Sequence, residues 1–178
     1  MKLTRRALLK NSFLLGATAP LSLGSALASN PASAPQQGPI TLYGSDKSTT
    51  ELGLGLRQQG LLPRYEGHFN PLALSALPSG TLAAGFTDES GIVLLTSLLA
   101  GRGRILALGR HEADRHQLLS HRGPIIDLMT VETGSWQASL GREYGRLVST
   151  PGRGRHAKEL PRAATAANIR ELSFLVQL

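Results

Sequence analysis

Gly80-Thr81-Leu82-Ala83-Ala84-Gly85-Phe86-Thr87-Asp88-Glu89-Ser90-Gly91-Ile92-Val93-Leu94-Leu95 is the stretch on which the fold turns. Read by its punctuation, residues 81–86 make one strand, Asp88-Glu89-Ser90-Gly91 supplies turn chemistry, and residues 91–95 make the next strand. A competing reading starts a helix inside the second run, because residues 93–99 are rich in leucine. The first reading leads to a β-meander; the second alternates strand with helix.

Moving outward, the same grammar recurs. Residues 40–43, 72–77, 104–108, 123–129, 135–140 and 145–149 are apolar runs of strand length, with turn material such as Pro78-Ser79-Gly80 and Glu132-Thr133-Gly134 between them. This spacing predicts a mainly β domain, a β-meander, over residues 40–178. Residues 110–119 compete as a helix on propensity but offer few apolar positions. A short C-terminal helix is expected over 163–172, with Pro161 suited to a first helical position, and residues 172–178 either finish it or close a sheet. One alternative is α/β: Thr49-Thr50-Glu51-Leu52 after the 40–43 strand would cap a helix leading into a ligand cleft, as in a small solute-binding protein. Gly53 and Gly55 count against that helix, and the length falls well short of two lobes.

Sliding the chain against itself by about 53 residues brings residues 67–97 onto 120–150. His68 and Pro71 fall on His121 and Pro124; after a one-residue gap, Gly80, Ala84, Glu89, Gly91 and Thr96 fall on Gly134, Ala138, Glu143, Gly145 and Thr150. Each unit runs histidine, apolar strand, glycine turn, small-residue strand, acidic turn, apolar strand. That order resembles a WD-type β-propeller blade, in which a Gly-His pair precedes the first strand. The resemblance implies partial propeller-like repeats, with Ala84 and Ala138 on strands near the axis. The period is longer than a usual blade and no Trp-Asp pair closes either unit.

At the amino terminus, Thr4-Arg5-Arg6-Ala7-Leu8-Leu9-Lys10 precedes a moderately apolar run, and Ala26-Leu27-Ala28 offers small residues where a signal peptidase cuts. This closely resembles a bacterial twin-arginine (Tat) signal, with Arg5 and Arg6 as its pair and Ala26 and Ala28 at the cleavage site. The resemblance implies a Tat translocase as partner, a periplasmic destination and export in the folded state. The apolar run is too short and interrupted to span a bilayer, so no permanent membrane anchor is expected. Residues 1–28 are then the signal, 29–39 a Pro/Ala-rich disordered linker, and 40–178 one domain. With the Gly-His units and the histidines at 116 and 121, the Tat signal also resembles the amino-terminal half of a family of exported bacterial propeller proteins, of unknown function and often associated with iron uptake. That likeness covers residues 40–150 and implies a short or truncated relative.

Without residues 1–28 the chain has fifteen basic residues and twelve acids, a net charge of +3 in place of +7. No stripe of Lys/Arg alternates with aromatics, so a nucleic-acid partner is not expected. The absence of cysteine excludes disulfides, thiolate ligation, iron–sulfur clusters and covalently attached haem.

The five histidines are the candidates for metal or acid–base chemistry. His111, His116 and His121 recur every five residues, with Glu112 and Asp114 among them. A helix would turn consecutive members about 140° apart, and a strand would put them on opposite faces, so ligation needs a loop. No Gly-x-Ser-x-Gly nucleophile motif is present. Arginines at 102, 104, 142, 146, 153 and 155 suggest either anion contact or solvated loops. Three readings follow: a non-enzymatic periplasmic binding or accessory protein of undetermined ligand; a periplasmic enzyme or redox subunit with a non-covalent cofactor or a His-ligated metal; and a small solute-binding protein. The lack of a convergent catalytic set favours the first.

Overall fold

The computed structural model describes residues 38–44, 46–126, 128, 135–150, 152–161 and 171–178. The segments expected to be a Tat signal, with Arg5, Arg6, Ala26 and Ala28, most of the expected 29–39 linker, the expected 132–134 turn and nearly all of the expected 163–172 helix lie outside the described residues.

Seven strands and four helices follow in the order β1 (Pro39–Tyr43), α1 (Lys47–Gln58), β2 (Leu62–Tyr65), α2 (Pro71–Leu74), β3 (Leu82–Thr87), α3 (Glu89–Leu99), β4 (Arg104–His111), β5 (Arg115–Ser120), α4 (Trp136–Ser149), β6 (His156–Pro161) and β7 (Glu171–Gln177). They form one mixed sheet in the order β2-β1-β3-β7-β4-β5-β6. β2, β1 and β3 run parallel, and every other neighbouring pair is antiparallel. The expectation of a mainly β domain therefore holds only loosely, since four helices accompany the seven strands, and the β-meander is limited to the β4–β5 hairpin, with α4 inserted before β6 pairs with β5. Helices cover both faces of the sheet, which agrees with the α/β alternative rather than with a β-meander. No helix among the described residues is long and apolar enough to cross a membrane.

Parallel neighbours need a crossover, and helices supply it. Asp88 accepts from the Gly91 amide and caps α3, so the Asp88-Glu89-Ser90-Gly91 cluster is a helix start and not a turn. Cap and turn draw on the same Asx chemistry, and only the following residues distinguish them. The 72–77 run begins as α2, capped by Asn70 with Pro71 in its first turn. Both runs at 135–140 and 145–149 belong to α4, whose cap is Ser135, its Oγ accepting from the Ala138 amide. Residues 110–119, which competed as a helix, form the β4–β5 hairpin. Residues 171–177 form a closing strand, and it is the central one.

The repeat does not carry through to conformation. Residues 80–85, mostly the β3 strand, align with 134–139, whose described part opens α4. Small residues serve a buried strand in the first case and a helix contact in the second, so matching identities give different structures.

Alternation along each strand divides the core in two. Ile40, Leu42, Ala84 and Leu175 face α1 and α4 through Leu52, Leu56, Leu140, Tyr144 and Leu147. Tyr43, Ala83, Phe174 and Val176 face α2 and α3 through Leu74, Leu95 and Leu99. The helices α1 and α4 lie side by side and parallel, because Ser48, Gly55 and Gln59 meet Gln137, Ala138 and Gly145 in increasing order. Glycine makes their approach so close: a Cβ on Gly55 would strike the Ala138 carbonyl, and one on Gly141 would strike that of Leu52. The glycines that counted against α1 are what seat it.

Candidate ligand site at the carboxyl edge of the sheet

Adjacent parallel strands β1 and β3 send their helices to opposite faces, α1 toward α4 and α3 toward α2. Where such strands diverge, the backbone opens a crevice beyond their carboxyl ends, the usual place for ligands in open α/β sheets. The antiparallel strands contribute to the same edge: β7 begins here with Glu171, β4 ends here with His111, and β5 starts here with Arg115. The first turn of α4 arrives as well, since Ser135 Oγ donates to Glu51 Oε2 at 3.0 Å.

Polar groups link these elements. Gln137 Nε2 donates to Ser48 Oγ at 3.3 Å, and Ser48 Oγ donates to Glu171 Oε1 at 3.3 Å. Asp46 accepts from the amide and hydroxyl of Thr49, and Asp88 from the Gly91 amide and the Ser90 hydroxyl. Those bonds, the backbone amide first, hold the Asp88 carboxyl below its usual range. Each cap sets a carboxylate against the amino terminus of its helix, so neither end is a bare anion site.

Beneath this edge lies an imidazole–indole cluster. Trp136 sits 4.5 Å from the His111 ring, 4.7 Å from His116 and 5.9 Å from Phe86, centroid to centroid. His111 Nδ1 and His116 Nδ1 are 2.8 Å apart, His111 Nε2 lies 2.7 Å from Ser173 Oγ, and Ser173 Oγ lies 2.7 Å from the Tyr144 hydroxyl. A hydrogen bond between the two Nδ1 atoms requires one donor and one acceptor, so the pair carries at most one positive charge. Burial pushes the Tyr144 hydroxyl well above the ordinary phenol range, and the bond to Ser173 opposes that only in part.

Of the metal candidates, the hairpin register brings His111 and His116 together on one face, whereas His121 stands at the far end of β5, about 16 Å along the strand. On one helix or strand the three histidines diverge; the reversal at Ala113-Asp114, across which the Glu112 amide donates to the Arg115 carbonyl at 2.9 Å, is what joins His111 to His116 and leaves His121 apart. Among the described residues no group of three or more His, Asp or Glu is placed to hold a metal. Ser173, His111 and His116 follow one another as nucleophile, base and orienting group do. All three are completely buried. Sequence reasoning also missed Ser48, Trp136, Gln137 and Glu171 as neighbours, since they come from three distant segments.

Charge is strongly polarised. Asp46, Glu51, Glu66, Asp88, Glu89, Glu112, Asp114 and Glu171 stand at the carboxyl edge, where Lys47, Arg64, Arg110 and Arg115 are fewer. Arg57, Arg102, Arg104, Arg122, Arg146, Arg153 and Arg155 stand toward the opposite edge, and of them Arg146 is bound to the buried Glu143. No family model, curated protein or solved structure matches the chain.

Proposed function

We propose that this chain is a non-enzymatic binding protein, exported by the Tat pathway, that holds a small positively charged solute at the carboxyl edge of its sheet. The observation that carries the reading is the divergence of α1 and α3 from adjacent parallel strands at an edge where acids outnumber bases. An amine-bearing ligand there meets the carboxylate of Glu171 and the hydroxyl of Ser48, both half-buried, with Trp136 behind them. Binding proteins need positioned polar groups over an apolar floor and no reacting set, which agrees with the burial of Ser173, His111 and His116.

Trp136 is the sole tryptophan, so its emission reports on this edge alone. Titrating purified protein with amine-bearing, neutral and anionic solutes should give a saturable fluorescence change for members of the first class, lost or weakened at least tenfold in Glu171→Gln. A response confined to anions, no response in any class, or one untouched by Glu171→Gln and Ser48→Ala would overturn the reading.

A further inference from the structure

The opposite edge of the sheet carries a second feature that the binding site does not use. Arg104 at the start of β4, His121 and Arg122 after β5, and Arg153 and Arg155 ahead of β6 line a groove of about 380 Å³ floored by Ile105 and Leu106. These residues come from three segments separated by up to 51 positions, so their convergence is a product of the antiparallel pairing of β4, β5 and β6 and not of composition. Among the described residues no carboxylate lines the groove and none of the four arginines forms an ion pair.

Arg122 is the half-buried member. Its Nη1 and Nη2 reach the carbonyls of Gly152 and Val148 only at 3.4 Å, and its buried Nε has no hydrogen-bond partner among the described residues. Arg104 is held by Gln177, whose Oε1 accepts from Nε at 3.0 Å and Nη2 at 2.5 Å. Burial first, and then the like charges of Arg104 and Arg153, lower the Arg122 guanidinium from its ordinary range. Converging cations held without counter-charge are relieved by a multivalent oxyanion, and guanidinium forks match phosphate oxygens two at a time.

We propose that this groove binds a phosphate-type oxyanion, with Arg122 at its base and Arg104, Arg153 and Arg155 around its rim. A soluble phosphate or diphosphate and the headgroup of an anionic phospholipid present the same chemistry, and the test separates them. The site stands apart from the carboxyl-edge site, so either survives the failure of the other.

Isothermal titration with inorganic phosphate and with pyrophosphate at about 0.15 M salt, where long-range attraction is largely screened, should give saturable 1:1 binding, tighter for pyrophosphate. Arg153→Gln, on an exposed segment, and Arg122→Gln should each weaken it at least tenfold, and Arg64→Gln, which removes the same charge elsewhere, should leave it within twofold. Sedimentation with phosphatidylglycerol vesicles that Arg153→Gln abolishes and pyrophosphate displaces identifies the headgroup as the source; soluble binding without vesicle capture identifies the free anion. Absence of saturable binding in both arms, or an equal loss in Arg64→Gln, overturns the proposal, the latter because it reduces the groove to bulk charge.

Discussion

Replacing Gly55 with alanine tests the closest contact in the fold. In an unencumbered helix this change stabilises by about 1 kcal/mol, because alanine loses less backbone entropy. Here the new Cβ would overlap the Ala138 carbonyl oxygen and lie 2.8 Å from the Arg142 amide nitrogen and 2.9 Å from the Ala138 carbonyl carbon. All three are backbone atoms, so no side chain can swing aside. To restore van der Waals separation, α1 and α4 must move apart by roughly 1 Å, which loosens Leu52, Leu56, Leu140 and Tyr144 beneath them. Overpacking of this kind costs about 1–3 kcal/mol and often more against rigid backbone, so the net expectation is destabilisation by about 2 kcal/mol. For a domain of this size that lowers the melting temperature by about 4–8 °C. Urea unfolding followed by circular dichroism measures it, with the exposed Leu54→Ala on the same helix as a control expected within about 0.5 kcal/mol. Gly141→Ala should act alike, and the double variant should lose less than the two singles together, since one separation relieves both. A Gly55→Ala protein more stable than the parent would refute the α1–α4 contact.

Three further outcomes follow from the same reasoning. Tyr144 is neutral in the fold well above pH 10, whereas the unfolded phenol ionises near 10; its contribution is therefore complete below that pH, and stability should fall by about 1.4 kcal/mol per unit above it. Tyr144→Phe should cost about 1 kcal/mol at neutral pH through the lost Ser173 bond and make the alkaline fall shallower in urea midpoints taken from pH 8 to 11. Glu143→Ala removes a buried carboxylate that holds Arg146 and the Ile126 amide, and should destabilise by about 3 kcal/mol in thermal unfolding, more than Glu143→Gln. Replacing Arg5 and Arg6 together with lysine should retain the protein in the cytoplasm at full precursor mass, read by fractionation and mass spectrometry.

The strands that were legible are those whose evidence is local. Residues 40–43, 81–86 and 104–108 are short apolar runs bounded by glycine, proline or charge, and they became β1, β3 and β4. The helices were harder for identifiable reasons. α3 is apolar nearly all round, with Val93 and Leu94 exposed opposite the buried Leu95 and Leu99, so it shows little 3.6-residue periodicity. α4 and α1 carry glycines that lower intrinsic propensity, and their burial against each other outweighs that loss. The α/β alternative rested on the Thr49–Leu52 segment as a helix start; α1 forms there, capped by Asp46.

The candidate site was less legible than the fold. His111 and His116 were singled out, but their meeting needs a two-residue reversal that a constant spacing of five hides. Glu171 joins Ser48 across 123 positions, and no local pattern anticipates such a bond. The arginines at 104, 153 and 155 were noted as numerous, while Arg122, the half-buried one, was not among them.

By itself the sequence determined local composition: which runs are apolar enough to be buried, where Asx and glycine punctuation falls, and the absence of thiol chemistry. Tertiary structure alone decided that residues 171–177 lie between β3 and β4 at the centre of the sheet, that α1 and α4 touch through glycine, and that acids gather at one edge and arginines at the other. Capping and turn formation are settled within a few residues by backbone hydrogen bonds. Strand order and charge polarity depend on burying two faces of one sheet at once, a condition that only the whole chain satisfies.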